Sequence, residues 1–287
     1  MPPETLPQPL GIIAAGGTLP GAICDAALAK GYAVHVVALK GQADPAMERF
    51  PHDWVRLGQV GRLLGALRRA GCRDVVIVGS LRRPDLWKVG VDFGLIRHFP
   101  ALWALTRGGD DAILTRVVRF FEAQGFQVRG AHEIAPALLA PAGPLGGVVP
   151  TDEHGQDIAY GFALLDALAP FDVGQAAVVA RDYVLAVEAA EGTDEMLKRC
   201  AQLRQWGRKG RAGVLVKAPK AGQELRVDMP VIGTRTVELA AAAGLAGIAV
   251  ASGKVMIADL AETAALADRH NIFVTGIDAA AVGRYRR

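Results

Sequence analysis

The sequence predicts an α/β fold in which an N-terminal Rossmann-like parallel-sheet domain is followed by a C-terminal mixed α/β domain. Three observations predict it. Short apolar runs alternate with helix-period stretches from Leu10 onward, and early runs end in small-residue turns at Gly16-Gly17 and Gly79-Ser80. One central stretch, Ala135 to Gly147, is dense in proline and glycine. Alternating β and α units imply parallel strands, because each return across a sheet needs a crossover, usually a helix. The Pro/Gly stretch reads as a connection, dividing the chain into residues 1–134, a linker over 135–147, and residues 148–287.

In chain order, Leu10 to Ala15 is the first strand, and Leu19, Ile23, Ala27 and Leu28 carry a helix stopped at Gly31. A strand over Ala33 to Leu39, a helix over Gly61 to Ala70 and a strand over Asp74 to Val78 follow. The two small-residue turns would border one crevice, since ligands in such sheets sit outside the carboxyl ends of the strands. Gly108-Gly109-Asp110-Asp111 precedes a helix with Ile113, Leu114, Val117, Val118 and Phe121, and Phe126 to Arg129 is the last strand of this half. Asp110 is placed either to cap that helix or to contact a ligand.

After the linker, Ile158, Phe162 and Leu165 give a helix over Asp157 to Leu168. Asp172-Val-Gly-Gln175 opens a strand over Ala176 to Ala180, paired with Val184 to Val187 through a turn at Arg181-Asp182. A helix begins near Met196-Leu197, and a strand follows over Gly213 to Lys217. The tail reads as a helix over Thr236 to Ala243, strands over Gly247 to Val250 and Lys254 to Ile257, a helix from Asp259 with Glu262 in capping-box spacing, and a strand over Ile272 to Gly276.

With 287 residues the chain can bury two cores, and 51% hydrophobic against 21% charged residues is a globular balance. The apolar run Leu239 to Gly253 is too short and too rich in glycine and alanine to span a bilayer. Met1 to Pro9 has neither the basic nor the apolar region of a signal peptide, so the expected location is cytoplasmic. Dispersed Cys24, Cys72 and Cys200 fit a reducing compartment and argue against zinc. A net charge of +3 permits attraction to phosphates or to an anionic membrane surface. It supplies no basic stripe with aromatics of the kind nucleic acid requires.

Several chemistries are disfavoured. Gly16-Gly17-Thr-Leu-Pro-Gly21 is not the dinucleotide fingerprint, and Leu39-Lys40 stands where a ribose-binding carboxylate belongs. No P-loop, serine elbow or metal-spaced histidine set is present. Candidate chemistry gathers in Lys217 to Gly233, where Lys217 and Arg226 offer charge-assisted donors to phosphoryl oxygens. Asp228 offers a hard oxygen ligand or a base. A surface hairpin with solvated charges is the competing reading. Glu191-Gly192-Thr193-Asp194, between a strand and a helix, can hold a phosphate on exposed N–H groups, with Glu191 or Asp194 holding its counter-cation. Thr193 or Asp194 as a simple N-cap explains it too. Arg204, Arg208, Lys209 and Arg211 form a basic patch, either a solvated face or a contact for a polyphosphate or a membrane headgroup. This inventory suits Mg²⁺-assisted hydrolysis of a phosphoanhydride.

Taken together, Leu10-Gly-Ile-Ile-Ala-Ala-Gly-Gly-Thr-Leu-Pro20, Gly109-Asp-Asp111, Asp172-Val-Gly-Gln175, Val187-Glu-Ala-Ala-Glu-Gly-Thr-Asp-Glu-Met-Leu197 and Gln223-Glu-Leu-Arg-Val-Asp-Met-Pro-Val-Ile-Gly233 carry a resemblance. The chain resembles the UDP-2,3-diacylglucosamine pyrophosphatase family of lipid A biosynthesis, the branch unrelated to calcineurin-like metallophosphoesterases. The resemblance implies a Mg²⁺-dependent hydrolase that splits UDP-2,3-diacylglucosamine into UMP and 2,3-diacylglucosamine 1-phosphate. It also implies peripheral contact with the cytoplasmic face of the inner membrane, and two domains enclosing the substrate.

Asp228 matches the essential carboxylate of the family's Gln-x-x-Arg-x-Asp-x-Pro motif, and Lys217 matches the lysine ending the preceding strand. Asp228, Lys217 and Arg226 are the expected catalytic residues, with Asp228 and Asp194 on the metal. Substrate contacts are expected from Gly16, Gly17, Gly79, Ser80, Gly109, Asp110, Gln175, Glu191, Gly192, Thr193, Asp194 and Gln223. The family's Ala-Gly-Gly-Gly opening is here Ala14-Ala-Gly-Gly17, which alters the shape of that turn. Trp87, Phe93, Leu95, Ile96, Phe99 and Trp103 would line or gate a chamber for acyl chains, or pack a helix on the sheet. A homodimer is the default assembly. A non-catalytic nucleotide-sugar or lipid sensor and a sugar-nucleotide glycosyltransferase are the alternative functions.

Overall fold

The computed structural model describes residues 8–81, 110–203 and 210–278. The chain forms two compact units, one of Met1–Pro136 with Glu224–Asp228, the other of Ala137–Gln223 with Met229–Arg287.

Unit 1 runs β1 Leu10–Ala14, α1 Leu19–Ala29, β2 Val34–Leu39, β3 His52–Val55, α2 Val60–Arg69, β4 Asp74–Val78, α3 Asp110–Ala123, β5 Gln127–Val128 and α4 Ala131–Ile134. Among the described residues its five strands are all parallel in the order β3-β2-β1-β4-β5. Strands of a parallel sheet are covered on both faces, so they read as unbroken apolar runs. Leu-Gly-Ile-Ile-Ala of β1 is buried at every position. The order reverses between β1 and β4, and both small-residue turns lie at that reversal. Gly16 and Ser80 bridge there, each N–H donating to the other's carbonyl at 2.9 Å. Gly79 sits at φ +106°, and a Cβ on it would stand 2.7 Å from the Gly16 carbonyl oxygen. The turn therefore needs glycine.

Unit 2 runs β6 Gly143–Pro144, α5 Asp152–Leu168, β7 Ala176–Ala180, β8 Tyr183–Val187, α6 Gly192–Leu203, β9 Val214–Lys217, β10 Val231–Ile232, α7 Thr234–Ala242, β11 Gly247–Ala251, β12 Met256–Ile257, α8 Leu260–Arg269 and β13 Phe273–Ile277. Its main sheet has the order β6-β13-β11-β9-β7-β8. Strands β9, β11 and β13 are parallel, β7 is antiparallel to β9, and β8 is antiparallel to β7. Strand parity separates two cores. Val214 and Val216 pack with Ile158, Phe162 and Leu165 of α5. Leu215 packs on the other face with Met196, Leu197, Val237 and Ala267 of α6, α7 and α8. Arg181 and Asp182 turn the β7–β8 hairpin with φ of 52° and 61°, as two-residue hairpins require. The buried Asp157 carboxylate accepts the Asp182 N–H at 2.9 Å, and burial pushes its pKa up.

Several elements depart from the sequence expectations. β3 has no long apolar run to announce it, and α5 begins at Asp152 rather than Asp157. The strand expected over Lys254 to Ile257 shortens to β12, paired in parallel with β10. No hairpin forms in Lys217 to Gly233, where β9 ends at Lys217 and the next strand is β10. The chain instead leaves unit 2 after Gln223, gives five residues to unit 1, and returns at Met229. Val227 packs against the unit 1 core containing Val118 and Phe121 of α3. Among the described residues, no helix is long and apolar enough to cross a membrane.

Candidate active site

In unit 2 the chemistry collects at the carboxyl edge of β9. Lys217 ends that strand, paired with Ala176 at the start of β7. Parity places Lys217 on the same face as Leu215, the face covered by α6. There the Lys217 Nζ donates to the Thr193 hydroxyl at 2.8 Å, and that hydroxyl donates to Glu188 Oε1 at 2.9 Å. Glu188 Oε2 accepts the Gln175 N–H at 3.1 Å. Lys217 and Glu188 are 5% and 7% exposed, so two buried charges compensate each other through one hydroxyl.

A second layer adjoins this one. The Gln175 side-chain oxygen accepts from Gln223 Nε2 at 3.1 Å, and Gln223 Oε1 accepts the Lys220 N–H at 2.7 Å. Lys220 Nζ is paired with Asp172. Gln223 is buried, and it is the last residue before the chain departs for unit 1. The structure thus brings together Lys217, Thr193, Gln175 and Gln223 from three separate stretches of sequence.

The remaining residues of the Glu191–Asp194 turn point to other partners. Helix α6 begins at Gly192, so Thr193 and Asp194 lie in its first turn, where exposed N–H groups and the macrodipole favour an anion. Glu191 pairs with Arg199 at 2.8 Å, and hydrogen bonds to its own backbone N–H and to Arg199 hold its pKa below the usual carboxylate range. Asp194 lies 3.8 Å from Arg235. Of the basic patch, Arg211 donates to the carbonyls of Ala241 and Leu245 at 3.1 and 3.4 Å, closing the end of α7. Arg204, Arg208 and Lys209 lie outside the described residues.

In unit 1, Asp228 and Arg226 sit in the five-residue segment. Its turn is closed by the Asp228 N–H donating to the Glu224 carbonyl at 3.1 Å. The Arg226 guanidinium is held by Glu224 at 2.6 Å and by Glu122 of α3 at 2.9 Å. The Arg226 hydrogen bond is the main cause that lowers the Glu224 pKa, and the same bond raises that of Arg226. The bridged turns carry Gly16, Gly17, Gly79 and Ser80 at the carboxyl ends of β1 and β4, where a ligand of a doubly wound sheet binds. Asp110 begins α3. Gly109 and the six apolar residues Trp87, Phe93, Leu95, Ile96, Phe99 and Trp103 lie outside the described residues.

The carboxylates present suit Mg²⁺ by type rather than by number. Among the described residues no group of three metal-ligating side chains gathers. Mg²⁺ is commonly held by one or two carboxylates together with substrate phosphates, and Asp228 and Asp194 are hard oxygen donors of that kind. Sequence reasoning singled out neither Glu188 nor Glu122. Glu188 directly follows the apolar strand Tyr183–Val187, and a carboxylate at such a strand end is the signal that marks it.

Similarity to known proteins covers both units. A family model described as the LpxI N-terminal domain matches residues 9–138, and one described as the LpxI C-terminal domain matches residues 141–275. A protein of Caulobacter vibrioides named UDP-2,3-diacylglucosamine pyrophosphatase LpxI is 43% identical over 273 residues, which is 94% of this chain and 97% of the relative.

Proposed function

Because the chain belongs to the LpxI family, we propose that it hydrolyses the diphosphate of UDP-2,3-diacylglucosamine. Water adds to one phosphorus and the P–O–P bond breaks, leaving UMP and 2,3-diacylglucosamine 1-phosphate. The observation that carries this reading is the 43% identity maintained over nearly the full length of both chains. The geometry supports it through a buried lysine beside the first turn of α6, an arrangement fit to hold phosphoryl oxygens.

Each residue then has a task. Lys217 and the first N–H groups of α6 hold the diphosphate. Asp228 orients the attacking water or takes its proton. Arg226 is already engaged by two carboxylates, so we assign it to bracing the turn of Asp228. Asp228 and Asp194 are the carboxylates proposed for Mg²⁺, each as a hard oxygen donor, and the ion when bound would supply neutralisation of the diphosphate charge and polarisation of a phosphoryl oxygen. The two acyl chains bring the protein to the membrane surface as a peripheral partner, and a homodimer is its proposed assembly.

The test is incubation of the purified protein with UDP-2,3-diacylglucosamine and Mg²⁺. UMP should appear, cease with a chelator, and return when Mg²⁺ is added. Asp228→Ala should lose about 10²–10⁴-fold in rate, and a fully active variant would overturn the assignment.

A further inference from the structure

We propose that Glu188 is a positioning residue for this reaction, fixing the Thr193 hydroxyl and, through it, the Lys217 ammonium at the carboxyl edge of the unit 2 sheet. The inference rests on the hydrolase reading and extends it to a residue that touches no substrate.

The count of donors and acceptors sets the direction of the chain. A lysine ammonium only donates, so the Thr193 oxygen must accept from Lys217, and the hydroxyl's single proton goes to Glu188. With its proton committed, the Thr193 side chain has no donor left for a phosphoryl oxygen. Lys217 is the donor, and Thr193 is its holder. Glu188 is the end that polarises the series, because both its oxygens accept, one from Thr193 and one from the Gln175 N–H.

The local backbone is built around this carboxylate. Gly174 has φ +51°, and a Cβ on it would lie 2.0 Å from the Glu188 carbonyl oxygen. The Glu188 N–H donates to the Ala176 carbonyl at 2.8 Å. In Asp172-Val-Gly-Gln175, then, the glycine admits the Glu188 backbone and the glutamine N–H holds its side chain. This gives that motif a structural purpose that substrate contact alone does not.

Glu188→Gln is the discriminating variant because it keeps shape and reverses polarity. If its amide oxygen keeps the Gln175 N–H, its NH₂ faces the Thr193 oxygen as a donor and competes with Lys217. The experiment compares the natural protein, Glu188→Gln, Thr193→Val and the double variant. It reads UMP release, thermal midpoint, and acylation of Lys217 by an amine reagent, followed by peptide mass spectrometry. Each single variant should lower kcat/KM by about tenfold or more, and the double variant should be no worse than the poorer single, as coupled neighbours behave. Lys217 acylation should quicken in both singles with no further gain in the double. Multiplying losses, unimpaired Glu188→Gln, or unchanged acylation would overturn the proposal. If the natural protein released no UMP, the reaction reading would fall, and the acylation pattern alone would decide the Glu188–Thr193–Lys217 coupling.

Discussion

Gly79 shows how one residue fixes the mouth of a sheet. Its φ of +106° and its 2.7 Å approach to the Gly16 carbonyl let the turns after β1 and β4 bridge each other. An alanine there meets both a backbone conformation that L-residues avoid and a backbone atom that cannot swing aside. Gly79→Ala is expected to cost about 1–3 kcal/mol from the backbone conformation alone, with the steric clash adding to it. A urea midpoint indistinguishable from that of the natural protein would show that the turn relaxes freely. Gly17, one residue from the bridge, has φ +92°, but a Cβ placed on it would have no atom within 4 Å. There an alanine meets only the conformational penalty, and the contrast between the two variants separates strain from collision.

The segment Glu224–Asp228 is the element on which the candidate chemistry turns. It is held by the Val227 side chain in the unit 1 core and by Arg226 between Glu224 and Glu122. The Arg226–Glu122 pair is more than a third exposed on both sides, so removing it should change stability by less than about 1 kcal/mol. Its larger effect should be on Asp228. Arg226→Met is expected to fold and to release UMP at least about tenfold more slowly. The same variant tests the acid limb. Arg226 holds the Glu224 pKa below 4.5, so the pair's contribution is present above that value and lost as pH falls through the lowered one. Thermal midpoints of Arg226→Met should therefore fall less steeply than those of the natural protein below pH 4.5. The chemistry of this element was legible in sequence, but its place in unit 1 was not. Buried runs such as Ile12-Ile13 and Val214-Leu-Val216 announce β1 and β9, because apolar residues on both faces leave an unbroken run. β3, with His52-Asp-Trp-Val, borrows its pairing from β2 and shows no such run. Arg226 and Glu122 lie 104 residues apart, a separation at which no local pattern operates. Lys217, Thr193 and Asp228 stood out because their residue types suit phosphate and metal chemistry. Glu188 and Glu122 act on other side chains, and that relation becomes visible only in three dimensions.

At the scale of the whole molecule, the division into units does not follow a single cut in the chain. The backbone passes from one unit to the other at Pro136/Ala137, Gln223/Glu224 and Asp228/Met229. Residues 1–136 expressed alone would therefore lack Val227, whose packing is worth about 1 kcal/mol for a partly buried side chain. Adding the peptide of residues 220–232 in excess should raise the fragment's urea midpoint, whereas the same peptide with Val227→Asp should not. Equal midpoints with and without the peptide would count against the segment as part of that unit's fold. The two returns at Gln223/Glu224 and Asp228/Met229 also bear on inheritance. A crossover near residue 137 between two relatives would join one parent's first half to five residues of the other parent's second half, inside the same fold. Hybrids would be most stable and most active where the newcomer's Arg226 meets a carboxylate at position 122 and its Val227 fits the foreign core. Recombination is thereby constrained at a point far from where the chain is cut.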